Sequence, residues 1–202
     1  MARLIGPKHK LCRLWGEKLC DSPKCPVMKR NFPSGQHGLA RKRAKLSSFG
    51  KQLREKQKAK KLYGILEKQF SNYVAEASKK TGDTSKFLVQ YLESRLDNVA
   101  YRAGFAPSRA AARQAVSHGH ITVNGKKLDI PSYRVRVGEI VAVAEPAKKS
   151  KLFTDLSETI AKKDLPAWVN VDATKLSAKV LNLPTVELPN FDANAIIGFY
   201  SR

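Results

Sequence analysis

The sequence predicts an α+β protein in three parts: a metal-knotted basic N-terminal segment, a small helical domain, and an inserted module of two helices and a small antiparallel sheet. Three patterns carry that expectation. All three cysteines fall before residue 26, in a stretch without apolar periodicity. Apolar residues then recur at helical spacing through most of residues 47–117. Beyond residue 120 the pattern changes to strict alternation around Asn124-Gly125, the strongest short signal for a hairpin.

Composition narrows the class of partner. The chain of 202 residues carries 38 Lys and Arg against 17 acids, a net charge of +21. Such a field favours a polyanion or an anionic membrane surface. The excess is one-sided: residues 1–61 hold 18 of the cations and 3 of the acids. The longest apolar run, Ile140 to Ala144, is far too short to span a bilayer. Met1 to Lys8 has no apolar run suited to a secretory signal. A cytoplasmic protein with nucleic acid as its polyanion is expected, without membrane contact and without homo-oligomers.

Residues 1–46 contain His9, Cys12, Cys20 and Cys25 in the spacing H-x2-C-x7-C-x4-C. Thiolates and imidazole suit zinc, and four such ligands complete a tetrahedron. A segment with so little apolar material needs its folding energy from a metal. An odd number of cysteines argues against a disulfide framework. An iron–sulfur cluster is the alternative, although four cysteines are its commoner set. His37 is the reserve for His9. The site reads as structural. Position 11 is Leu, where a zinc deaminase needs a glutamate, and H-E-x-x-H is absent. Arg41, Lys42, Arg43 and Lys45 follow as an irregular basic arm, which would order against phosphates by releasing counterions.

A helix is expected from Ser47 to Gly64, with Lys51, Arg54, Lys58 and Lys61 along one side. Like charges at this spacing repel, and a polyanion alongside would relieve them. A second helix, about Glu67 to Lys80, has Phe70, Tyr73, Val74 and Ala77 as its core face, with Gly82 as its stop. The module at 93–143 then opens on a helix whose stripe is Leu88, Leu92, Leu96, Val99 and Ala103. Tyr91, Arg95, Asn98 and Arg102 border that stripe on a helical wheel. The next helix runs from Ser108, a good N-cap, to Gly119. Its apolar arc is Ala111, Ala112, Ala115 and Val116; Arg109, Arg113, Gln114 and Ser117 take the other. Ile121 to Val123 and Lys126 to Leu128 form the hairpin, and Tyr133–Val143 reads as two further strands around a turn. Lys148–Lys151 is a basic hinge, residues 153–163 a helix, and 166–189 short elements broken by prolines.

The apolar tail helix, from Asp192 onward, needs cover, and the narrow-cored helices of 47–80 need a partner. The tail is expected to fold back on them. The expected division is therefore 1–46 as the metal-binding segment and arm, 47–92 plus 189–202 as the helical domain, and 93–188 as the insertion. The expected nucleic-acid contacts in the module are Arg95, Asn98, Arg102, Ser108, Arg109, Arg113, Gln114, His118, Asn124 and Lys126. His118 and His120 straddle Gly119 at the helix stop, where capping and phosphate contact suit them better than acid–base chemistry.

Several long motifs are shared with a known family. They are Pro33-Ser-Gly-Gln-His-Gly, Gln52-Leu-Arg-Glu-Lys-Gln-Lys58, Leu92-Glu-Ser-Arg-Leu-Asp-Asn98, His118-Gly-His-Ile-Thr-Val-Asn-Gly125, Pro131-Ser-Tyr-Arg-Val135 and Phe199-Tyr-Ser-Arg202, with Arg3 to Pro7 near the start. In this order, over essentially the whole length, they resemble the family of the fourth protein of the small ribosomal subunit, S-four, of bacterial type. The resemblance implies a primary binder of 16S ribosomal RNA that clamps a multi-helix junction and acts early in assembly. It implies a neighbour, the fifth small-subunit protein, and a joint influence on decoding accuracy. It places the arm at Arg41–Lys45 near the messenger RNA entry channel. It makes residues 93–143 an αL-type RNA-binding module shared with some synthetases and pseudouridine synthases. In zinc-type members the cluster usually starts Cys-x-x-Cys, and here His9 stands for the first cysteine.

An RNA-modifying enzyme with the same module is the alternative function. It would need a catalytic domain, and no nucleophile–base pair or phosphate loop stands out in the remaining segments. A non-enzymatic role is expected.

Overall fold

The computed structural model describes residues 6–20, 22, 24–39, 46–150, 152–153, 156, 160, 164–184 and 190–201. Two compact units form, Met1–Asn72 with Asn190–Arg202, and Tyr73–Pro189.

In the first unit, α1 (Lys8–Trp15) ends at Gly16, whose left-handed backbone (φ 72°) lets its amide bond the Cys12 carbonyl. A 3-10 turn at Pro26–Met28 follows. The buried residues here are few: Cys12, Cys25 and Val27, with Leu19 and Cys20 packed against them. Arg13 ties the far end of the segment to α1, donating to the carbonyls of Phe32 (2.9 Å) and Pro33 (3.1 Å).

Helix α2 (Ser48–Tyr63) starts at Ser47, whose hydroxyl accepts from the Gly50 amide, and stops at Gly64 in the left-handed region. Helix α3 (Glu67–Ser78) buries Phe70, Tyr73, Val74 and Ala77, as its spacing predicts. The tail forms α8 (Ala193–Tyr200), capped by the Asp192 carboxylate on the amides of Asn194 and Ala195. It packs on α2, with Phe49 against Phe199 (ring centroids 5.5 Å apart). Phe191 meets Tyr63 edge-on, and Tyr200 lies against Phe70.

In the second unit, α4 (Thr84–Glu93) and α5 (Leu96–Arg102) replace the single helix expected across residue 95. The stripe at Leu88, Leu92, Leu96, Val99 and Ala103 is buried throughout. The chain nevertheless breaks at Ser94-Arg95, where Arg95 is extended (ψ 138°). Arg95 bridges Arg134, the Leu96 amide bonds the Tyr133 carbonyl, and the Val135 amide bonds the Ser94 carbonyl. That pairing also explains a second difference. Residues 133–137 are expected as a strand of the sheet, yet the Tyr133 carbonyl and the Val135 amide bond the α4–α5 junction instead.

Helix α6 (Arg109–Ser117) begins at Ser108, whose hydroxyl accepts from the Ala111 amide at 3.3 Å. Gly119 takes a left-handed backbone (φ 71°) that side chains rarely adopt, with the flexible end of Lys127 lying over it. The sheet has five strands in the order β2-β1-β3-β5-β4, all antiparallel. They are β1 (Ile121–Val123), β2 (Lys126–Lys127), β3 (Ile140–Val143), β4 (Val169–Asp172) and β5 (Ser177–Val180). Asn124 and Gly125 both take positive φ (49° and 79°), as the two-residue hairpin requires. A short helix α7 (Glu145–Lys148) follows β3.

Strands β4 and β5 lie in the stretch read only as short apolar elements between prolines. Their hairpin turns through Leu176 at φ 51°, with the Asp172 carboxylate bonding the Thr174 and Lys175 amides, so no glycine marks it. Val99, Ala103, Ala112 and Val116 from the helices meet Ile121, Val123, Val141, Val143, Ala178 and Val180 from the strands in one core. The helix expected over 153–163 falls mostly outside the described residues; Phe153, Leu156 and Ile160 are described, and they join that core.

Candidate nucleic-acid interface and metal cluster

Helix α1 and the loop after it bring His9, Cys20 and Cys25 together, with their ligand atoms all within 4.8 Å of one another. Cys20 Sγ lies 3.6 Å from His9 Nδ1. Cys12, the expected fourth member, is outside that close trio but buried in the same cluster. All three cysteines are free thiols. Burial chiefly pushes the Cys20 thiol up to about 11, with a hydrogen bond to Cys25 adding to it. Burial would also raise Cys25, but the Val27 amide and the side chains of Cys20, His9 and Cys12 outweigh it and bring it down to about 7. Cys25 thus becomes the anion that a metal takes before Cys20 does. His37, the reserve ligand, is exposed and lies outside the trio.

The arm at Arg41, Lys42, Arg43 and Lys45 lies outside the described residues. Along α2, Lys51 is exposed. Arg54 is half-buried: it donates to the Trp15 carbonyl at 2.8 Å and lies 3.8 Å from Glu17. Lys58, expected on the cationic side of the helix that faces a polyanion, is buried and paired with Glu17. Burial, with Lys60 beside it, draws Lys61 below the ordinary lysine value. Lys56 was not singled out in the sequence, yet it is buried, its ammonium 4.2 Å from the Phe199 ring centroid. Glu67 accepts from Lys56 (2.9 Å), Lys60 (2.5 Å) and the Tyr200 hydroxyl (2.7 Å). Burial opposes its charge, but these three donors hold the Glu67 carboxyl at about 2.

The module's charged groups are arranged differently from the wheel. Arg95 is wholly buried and is no part of an exposed rim. Its Nε and Nη2 fork onto the Asp97 carboxylate (3.1 and 2.8 Å), and Nη1 donates to the Tyr73 hydroxyl at 2.7 Å. The physical reason is the break at Ser94-Arg95: an extended residue leaves the helical wheel, so the wheel position does not apply. Asn98 is buried too. Its amide nitrogen donates to Glu93 Oε2 (2.7 Å), and its Oδ1 accepts from Arg109 Nε (2.9 Å). Arg102, half-buried, holds Glu93 through Nε (2.9 Å) and Nη2 (2.8 Å).

Arg113 lies 3.5 Å from Asp97. Ser108 is spent as the cap of α6. Gln114 and His118 are exposed on or just past α6. Asn124 supports the hairpin, its Oδ1 accepting from the Ile140 amide at 2.9 Å. Lys126, with Lys127, Asn124, Tyr133 and Glu139, lines a cleft of about 270 Å³ beside that hairpin. Glu93 and Arg134 also went unremarked in the sequence. Arg134 pairs with Glu76 and stacks on Tyr91, 4.3 Å from the ring centroid. The available signal was the alternation of acids and arginines at Glu93, Arg95, Asp97 and Arg102.

Two family models cover most of the chain. Residues 3–93 match the ribosomal protein S4/S9 N-terminal domain, and residues 94–141 match the S4 domain. The small ribosomal subunit protein uS4A of Alkaliphilus oremlandii is 50% identical over 210 residues, covering all of both chains. The chain belongs to the uS4 family of small-subunit ribosomal proteins. The uS4 proteins of Acetivibrio thermocellus and Acidithiobacillus ferrooxidans are 49% and 46% identical, again over the whole of each chain. These relatives are named as ribosomal proteins and not as enzymes. Binding of ribosomal RNA and a place in the ribosome, which is cytoplasmic in bacteria, come with the family. Among the described residues no helix is long and apolar enough to cross a membrane.

Proposed function

We propose that this protein is a primary binder of 16S ribosomal RNA that nucleates assembly of the small-subunit body and, beside the fifth small-subunit protein, influences translational accuracy. The observation that carries the reading is the S4-domain match over residues 94–141, the stretch in which α5, α6 and the β1–β2 hairpin bring Arg102, Arg109, Arg113, Gln114, His118 and Lys126 onto one small fold. Phosphate and 2′-hydroxyl contacts would carry most of the affinity, with RNA shape giving the specificity. Further phosphate contacts are assigned to Lys51 and to the arm residues Arg41, Lys42, Arg43 and Lys45, the arm's to messenger RNA. A zinc ion held by His9, Cys20 and Cys25, with Cys12 as the fourth ligand, would supply the N-terminal segment's folding energy.

A salt titration of purified protein with 16S rRNA tests the reading. Several phosphate contacts predict a steep linear fall of log affinity with log salt. A flat titration, or failure to co-sediment with small subunits, would sink it.

A further inference from the structure

We infer that Glu93 and Asn98 are positioning residues for RNA binding: one buried carboxylate aims Arg102 directly, and aims Arg109 through the Asn98 amide, at the phosphodiester backbone. The inference rests on the RNA-binding reading of the module. Glu93 is wholly buried at the end of α4, under a surface meant for a polyanion. By charge alone, an acid there weakens the attraction for phosphate. As a core residue, an apolar side chain of similar size would avoid the desolvation that a buried carboxylate suffers. What a carboxylate does that no apolar group can is hold a guanidinium in one plane by two parallel hydrogen bonds.

The geometry has that form. Glu93 Oε1 and Oε2 take the Nη2 and Nε of Arg102, and Oε2 also takes the Asn98 amide, whose own oxygen takes Arg109 Nε. The Asn98 amide nitrogen is fixed a second time, on the Glu93 carbonyl at 3.1 Å. Arg109 is held from another side by the Tyr101 ring, 4.6 Å from its guanidinium carbon. Arginine is rich in rotamers, and ordering it at the moment of binding subtracts from affinity. Ordering it in the free protein removes that cost. One carboxylate between two guanidiniums still leaves a net positive pair. The same ratio recurs at Asp97, which forks Arg95 and lies near Arg113.

The test uses the full chain and 16S rRNA, with affinity measured across a salt series and folding checked by thermal melting. Glu93→Gln removes the negative charge, so electrostatics alone predicts tighter binding. Positioning predicts the opposite, a loss of about tenfold, as for removal of one oriented arginine contact. In an Arg102→Ala, Arg109→Ala background the same substitution is expected to cost nothing. Asn98→Ala, which removes the Arg109 link and the amide's two bonds to Glu93 but leaves both Arg102 bonds in place, keeps the test open if Glu93→Gln fails to fold. It is expected to weaken binding in the wild-type background and not in Arg109→Ala. Normal or tighter binding by the folded variants, or a loss that persists without the arginines, would overturn the inference while leaving the RNA reading intact. Wild-type protein with no salt-dependent affinity would overturn both.

Discussion

The segment around the cysteines and the module after residue 93 are both basic, yet they obtain their order from different sources. Around the cysteines, the buried side chains are Cys12, Cys25 and Val27, and little else is dry. In the module, a continuous core runs from Leu96 through the strands to Val180. The module can therefore fold on apolar burial alone, and its buried acids are then available to orient arginines. Among its described residues the cysteine segment shows no such core, and what it brings together is thiols and an imidazole that could hold a metal. Positive charge in both regions thus conceals unequal folding physics.

The largest effect that would sharpen this contrast is metal removal. Structural zinc contributes on the order of 10 kcal/mol to small metal-dependent folds. A chelator, or Cys25→Ser, is expected to release the segment at 8–39. Trp15 and Trp168 are the only tryptophans, so in a Trp168→Phe variant the emission reports on α1 alone. An unchanged Trp15 spectrum on chelation, with the backbone amides of β1, β3 and β5 equally protected before and after, would break the contrast. Next comes Leu96→Ala in the module, a wholly buried leucine whose loss is expected to cost about 3 kcal/mol by transfer and cavity terms. Denaturant melts would measure it, and a cost near zero would mean that the core is not what supports the module.

Acid provides a smaller effect in the α2–α3–α8 region. The Glu67 carboxyl is held at about 2, below its ordinary value of 4.5. Its contribution is present above pH 4.5 and is lost as the pH falls toward 2. Its side chain is 47% exposed, so screening reduces that contribution to about 1 kcal/mol. Glu67→Gln should flatten the pH dependence of melting in that window; an unaltered acid profile would refute the assignment. The smallest expected effect is Asp192→Ala, which removes the cap of α8 and should cost about 0.5–1 kcal/mol in urea melts.

Much of the fold could be read from periodicity and stop signals. The α2, α3 and α6 helices, their caps at Ser47 and Ser108, and the Asn124-Gly125 hairpin follow from local chemistry that tertiary packing did not override. The break at Arg95 could not be read that way, because the apolar stripe continues unbroken through it; the cause is a partner far along the chain, at Arg134. Strands β4 and β5 were missed because their turn takes positive φ at a leucine instead of a glycine or asparagine. At the site, sequence identified the charged residue types and could not tell exposed cations from those that buried acids hold. Arg95 lies inside on the buried Asp97, and Lys58 is buried although its partner Glu17 is exposed.

The hairpin at Asn124-Gly125 has a consequence for solubility. It ends the sheet on β2, an edge strand of only two residues, both exposed lysines. An outer strand so short and so charged offers a poor template for pairing with another chain. Copies of the protein awaiting RNA at high local concentration are thereby kept from adding strand to strand along that rim. The side chains that suit a phosphate surface also serve as the guard against self-association.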